Sequence, residues 1–104
     1  MSLNFIVSIT SPHEVIDANI THNVNKMWIK AGIYDELYKS EGKKVSEVIE
    51  KLEVGLIKMI LNSKGYTELN PENGWGSYDG AVKWLTNLIM ELKKYPDGII
   101  EISA

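Results

Sequence analysis

The sequence predicts an α+β fold in which two terminal strands pair and three main helices cover them. Three observations support this class. Apolar and polar residues alternate near both ends of the chain, helical spacing of apolar residues fills the interior, and turn residues separate the segments. The length of 104 residues fits one domain, residues 1–104, with a hydrophobic core that needs no disulfide or metal.

The first strand is predicted at about residues 3–9 because its apolar residues recur with period two, at Leu3, Phe5, Val7 and Ile9. Ser11 and Pro12 are expected to end it. At the other end, the turn signal at residues 96–98 precedes a strand at about 99–103, with Ile100 and Ile102 on one face. Antiparallel pairing of these two strands is favoured.

The first helix is predicted at about residues 20–31, followed by Gly32 as the residue after its end. Its apolar residues follow one helix face, at Ile20, Val24, Met27, Trp28 and Ala31. A further short helix or turn is expected around residues 33–38, and residues 40–44 are expected to form a polar loop.

The second helix is predicted at about residues 45–63, with Gly65 ending it, and it is apolar on two sides. The main stripe consists of Val45, Val48, Ile49, Leu52, Leu56, Met59 and Ile60. An additional side carries Val54, Ile57 and Leu61, which would face either the sheet or another subunit. A two-stranded sheet also leaves its edges unpaired. Both features predict a homodimer.

The third helix is predicted at about residues 78–94, where Ser77 is a candidate N-cap and Asp79 complements the helix dipole. Lys93 and Lys94 suit its last turn. Its buried stripe is expected to contain Ala81, Val82, Leu85, Leu88, Ile89 and Leu92.

Composition excludes several functional classes. The chain has no cysteine, which rules out disulfides and thiolate zinc sites and favours a cytoplasmic location. It has no signal-peptide pattern and no apolar run long enough to cross a membrane. The net charge is −3 and arginine is absent, so nucleic-acid binding is disfavoured. No motif for a metal, a cofactor or a catalytic nucleophile is present.

Residues 17–23 form the first candidate site. Asn19 or Thr21 could cap the first helix, which leaves His22 and Asn23 at its beginning and off the apolar stripe. A neutral imidazole there could act as a base or a hydrogen-bond partner. Alternatively, these polar side chains only fix the loop that leaves the first strand.

Residues 70–80 form the second candidate site, in which turn-forming residues surround Asn73, Trp75 and Tyr78. Phosphate binding is disfavoured because the loop has no basic residue and carries Glu72. Trp75 is expected to fill the core and to bond a backbone carbonyl through its indole N–H. The alternative is that its ring lies against a ligand.

Taken together, residues 19–23 and 70–80 resemble a group of small bacterial and bacteriophage proteins of unassigned function. The shared segments are Asn-(Ile/Thr)-Thr-(His/Tyr)-Asn and, about fifty residues later, Asn-Pro-x-Asn-Gly-Trp-Gly-x-Tyr-x-Gly. The resemblance spans about residues 17–103. It implies no catalytic residue; it implies that the two segments belong together and that the setting is bacterial or a prophage.

If the two segments are neighbours, their side chains could share one polar and aromatic pocket for a neutral ligand. The candidate ligand-binding residues are Asn19, Thr21, His22, Asn23, Asn73, Trp75 and Tyr78. The predicted function is therefore a small intracellular domain that binds a ligand or another protein without catalysis. The alternative is a small enzyme or metabolite binder that uses His22 with residues of the second segment.

Overall fold

The computed structural model describes residues 2–10 and 13–104, which form a three-stranded antiparallel sheet covered by helices on one face. The strands are β1 (Ser2–Thr10), β2 (His13–Thr21) and β3 (Ile99–Ser103), in the order β2-β1-β3. The α+β class is confirmed, as is the antiparallel pairing of the two terminal strands, in which Phe5 lies opposite Ile102. The predicted end of the first strand at residues 11 and 12 lies outside the described residues.

Five α-helices lie between β2 and β3. They are α1 (Asn25–Ala31), α2 (Tyr34–Tyr38), α3 (Ile49–Leu61), α4 (Ser63–Thr67) and α5 (Tyr78–Leu92). Short 3-10 turns at His22–Val24 and Val45–Glu47 precede α1 and α3.

The prediction of only two strands was wrong, because residues 13–21 form β2 along the free side of β1. Ile16 is buried and Ala18 and Ile20 are half-buried, while Asp17 and Asn19 are exposed, so the segment has the period-two alternation of a strand. Ile20 therefore belongs to β2, and the first helix begins at Asn25 rather than at residue 20. The helical spacing that includes Ile20 coincides by chance with the strand pattern.

Irregular pairing near the end of β1 changes the predicted face of this strand. Leu3, Phe5 and Val7 are fully buried as expected, but the register between β1 and β2 shifts twice after Val7. A bulge of this kind re-aims the side chains that follow it. Ile9 consequently lies exposed instead of facing the core.

The second predicted helix is three elements instead of one. The Val45–Glu47 turn precedes α3, and Asn62 separates α3 from α4. Asn62 accepts a hydrogen bond from the backbone N–H of Gly65, at 3.4 Å, so Gly65 lies in α4 and does not end α3. A capping asparagine explains the break, because its side chain offers the backbone an alternative to continuing the helix.

The predicted ends of α1 and α5 agree better with the structure. Gly32 follows α1 in the left-handed conformation, with a φ of 75°, and its backbone N–H donates to the carbonyls of Trp28 and Ile29. Ser77 caps α5 by accepting a hydrogen bond from the N–H of Gly80 at 3.0 Å. The helix ends at Leu92, two residues before the predicted end.

The core lies between the sheet and the helices. Trp28 is fully buried, and its ring lies 5.8 Å from that of Trp84 on α5. Close packing explains Gly55 on α3, because a Cβ atom there would approach Cγ2 of Ile33 to 2.4 Å. The buried stripe of α5 consists of Ala81, Leu85, Leu88, Ile89 and Leu92, with Val82 at its margin.

Candidate functional site

The two sequence segments meet where β2 ends and α5 begins. A cavity of about 210 Å³ lies between them, lined from one side by Ile20, Thr21 and Val24 and from the other by Gly76, Ser77, Gly80, Ala81 and Trp84. Gly76 has a φ of 104°, and a Cβ atom there would lie 3.0 Å from side-chain carbons of both Thr21 and Val24. Glycine therefore permits this close approach of the second segment to the first.

Hydrogen bonds within the second segment fix its own backbone. The Asn73 side chain accepts from the N–H of Trp75 at 2.9 Å, which closes a local Asx turn. Asn70 accepts from the N–H of Tyr78 at 2.7 Å, and the Tyr78 hydroxyl donates to the carbonyl of Met59 at 2.8 Å. These contacts join the beginning of α5 to α3.

The expectation that Trp75 fills the core was wrong. Its side chain is 72 % exposed, in a loop where Gly74 and Gly76 both have positive φ angles. The loop holds its shape through the asparagine contacts and through Gly76, so the indole is not needed as a core anchor. The ring remains available at the surface.

His22 belongs to a hydrogen-bonded chain of three side chains. Its Nδ1 lies 2.7 Å from the Tyr38 hydroxyl, and that hydroxyl donates to Oδ1 of Asn25 at 2.6 Å. Because the only hydroxyl proton goes to Asn25, Nδ1 of His22 must be the donor to Tyr38. We assign a proton to Nδ1 of His22 on this basis.

Tyr38 has a perturbed acidity within this chain. Burial, together with electrostatic repulsion from the neighbouring Tyr34 hydroxyl, raises the pKa of Tyr38 to about 12, although the hydrogen bond to Asn25 lowers it. The phenol is therefore a neutral donor at all physiological pH values.

The seven predicted ligand-binding residues do not line a single pocket. Thr21 lines the cavity described above and accepts from the N–H of Asn23 at 3.2 Å. Asn23 lies in a separate cleft of about 480 Å³, with Lys26 and residues 68–72. Asn19 bonds the side chains of Ser2 and Asn4 on the outer face of the sheet. The ligand-binding role of these residues stays a prediction.

A groove that the sequence analysis missed runs between β2 and α5. Its volume is about 360 Å³, and we call it the β2 groove; it is lined by Val15, Ile16, Asp17, Ala18, Asn19, Trp84, Asn87, Leu88 and Glu91. The alternation of residues 16–21 was the signal for the strand, but the polar residues in it also matched helix-cap chemistry.

The second apolar side of α3 faces outwards. Val54, Ile57, Ile60 and Leu61 are between 46 % and 82 % exposed, and we call these four residues the α3 face. Ile60 was expected in the buried stripe but lies on this face. Isolated exposed apolar residues are common, whereas four on one helix are typical of a contact surface.

Comparison of the chain with protein-family models, curated proteins and solved structures gives no significant match. In residues 2–10 and 13–104, no group of three or more histidine, aspartate or glutamate side chains is placed to hold a metal ion. The helices in this described part are all too short or too polar to cross a membrane. The proposed function therefore rests on the surfaces of the molecule.

Proposed function

We propose that the protein is a small interaction domain without catalysis and that it forms a homodimer through the α3 face. The observation that carries the proposal is the exposure of Val54, Ile57, Ile60 and Leu61 on one helix. Association would remove these side chains from water, which contributes about 25 cal/mol for each Å² of apolar surface buried.

The charges along α3 favour a second copy as the partner. Glu50 lies before the apolar residues, whereas Lys58 and Lys64 lie towards and beyond the end of the helix. Lys51 and Glu53, in the first half of the helix, are ion-paired within the chain to Glu36 and Lys93. In an antiparallel pair, the acidic end of one copy would approach the basic end of the other. Such complementary ends favour an isologous contact between identical surfaces.

The mass in solution tests this proposal. We expect light scattering to give twice the chain mass of 11.7 kDa for the parent at concentrations on the order of tens of micromolar, and a monomer for Ile57→Glu. Ile29→Glu is the matched control, since Ile29 on α1 is 62 % exposed but lies outside the α3 face. A monomeric parent, or equal dissociation by both variants, would contradict the proposal.

We also propose a cytoplasmic and bacterial or prophage setting for this domain. The absence of cysteine supports the compartment, and the resemblance of residues 19–23 and 70–80 supports the source. Catalysis through His22 stays an alternative prediction. We do not adopt it, because the side-chain contact of His22 is with Tyr38 and not with the second segment.

A further inference from the structure

We infer that the β2 groove binds an extended peptide that adds a strand to β2 and carries basic side chains beside apolar ones. This inference rests on the proposed role as an interaction domain, but it does not depend on the homodimer. The argument uses the hydrogen bonding of the sheet edges, the lining of the groove and its charge.

The two edges of the sheet differ in how far they are covered. The outer side of β3 is occupied by the chain itself, since Ile100 exchanges backbone hydrogen bonds with Gly42 and Lys43 at 2.8 and 2.9 Å. Val45 donates to the carbonyl of Gly98 at 2.9 Å on the same side. Within the described residues, β2 pairs with β1 alone and makes no further backbone hydrogen bond.

An uncovered strand edge beside a helix is a known type of peptide-binding surface. An added strand receives main-chain hydrogen bonds from the edge, and its alternate side chains enter the neighbouring groove. The β2 groove suits the second requirement, because Ile16 and Ala18 of β2 face Trp84 and Leu88 of α5 across it. Its volume of about 360 Å³ accommodates apolar side chains of the added strand.

The charge of the groove selects the kind of peptide. Asp17 and Glu91 are the charged residues in its lining, and no lysine lines it. The Asp17 side chain lies at the margin, on the outer face of the sheet, where it accepts a hydrogen bond from Asn4 at 2.9 Å, and Glu14 lies on the same strand. Glu91 also contacts Lys94 at 3.3 Å, but an exposed pair of this kind contributes little free energy, so a basic side chain of the peptide can replace Lys94. A peptide with lysine or arginine beside its apolar residues would complement these carboxylates.

The same charges disfavour a second copy of this chain on the β2 edge. Pairing β2 with another β2 would bring Glu14 and Asp17 of both copies into one short ladder. Like charges on facing strands destabilise the pairing. The α3 face and the β2 edge are therefore assigned to different partners.

Amide NMR of the full chain with two synthetic probes tests the inference. The first probe is a blocked hexapeptide of alternating valine and threonine with a lysine at each end, and the second has glutamate in place of both lysines. We expect the lysine probe to shift the amides of Val15–Asn19 and the Trp84 indole signal, with affinity about tenfold higher than that of the glutamate probe. Equal affinities, shifts elsewhere, or no shift at millimolar probe would overturn the inference.

A pair of charge reversals provides the matched control. Glu91→Lys in the groove is expected to lower the affinity for the lysine probe at least several-fold. Glu101→Lys on β3 makes the same charge change outside the groove and should leave that affinity unchanged. If both variants lower the probe affinity equally, general charge attraction explains binding and the inference fails. Ile57→Glu should retain probe binding, so loss of the dimer and loss of the peptide site are measured separately.

Discussion

At the scale of single residues, Tyr38 joins three parts of the chain. Its hydroxyl lies between His22, directly after β2, and Asn25, at the start of α1, while its ring stacks on Tyr34 within α2. A half-buried hydroxyl with two partners contributes to stability chiefly because its loss leaves those partners unpaired.

We predict that Tyr38→Phe lowers the free energy of unfolding by about 1–2 kcal/mol at neutral pH, because His22 and Asn25 lose their shared partner. Tyr34→Phe is the control, since it keeps the stacked ring and removes a hydroxyl outside this chain of hydrogen bonds. Urea unfolding followed by circular dichroism measures both. Equal losses in the two variants would contradict the role of the hydroxyl.

The raised pKa of Tyr38 predicts a dependence of stability on alkaline pH. Burial and the Tyr34 hydroxyl raise its pKa from 10.0 to about 12 in the folded state, so the folded protein holds this proton more tightly than the unfolded chain. The resulting stabilisation is complete below pH 10 and is lost as pH rises through about 12. The stability difference between the parent and Tyr38→Phe should therefore shrink across that window, whereas a constant difference would contradict the prediction.

At the scale of elements, the loop before α5 is held against the end of β2. The asparagine contacts shape the loop internally, and Gly76 brings it within contact of Thr21 and Val24. Gly74 also has a positive φ, of 76° against 104° for Gly76, but a Cβ atom at Gly74 would meet nothing within 4 Å. A side chain at Gly74 would therefore meet backbone strain alone, whereas one at Gly76 would meet greater strain and close contacts as well.

We predict that Gly74→Ala costs about 1 kcal/mol of stability, from the left-handed backbone alone. Gly76→Ala should cost about 1–3 kcal/mol more, because its φ of 104° is less accessible to alanine and its Cβ would also press on Thr21 and Val24 at 3.0 Å. Urea unfolding of both variants measures the difference. Equal costs would show that the packing of the loop against β2 contributes nothing.

At the scale of the whole molecule, the proposed dimer links stability to protein concentration. Association stabilises only the folded state, so the melting temperature of a homodimer rises with concentration. We predict this rise for the parent and its absence for Ile57→Glu, with Ile29→Glu behaving as the parent does. Calorimetry over a hundredfold range, on the order of 1 to 100 micromolar, measures it. A melting temperature of the parent that does not change with concentration would contradict the dimer.

The sequence by itself determined the features that depend on residues close together in the chain. The period-two patterns of β1 and β3, the Gly32 ending of α1 and the Ser77 cap of α5 all follow from local spacing. These patterns are specific because strand alternation, a positive φ and a capping side chain each involve only a few neighbouring residues.

Where the local sequence fits two structures equally well, only the tertiary structure decided between them. Residues 13–21 suit both capping and an edge strand, and pairing with β1 selects the strand. The additional apolar side of α3 was predicted to face either the sheet or another subunit, and no element of the described residues covers it. The contact of His22 with Tyr38 and the groove between β2 and α5 join positions far apart in sequence, so only the path of the chain through space creates them.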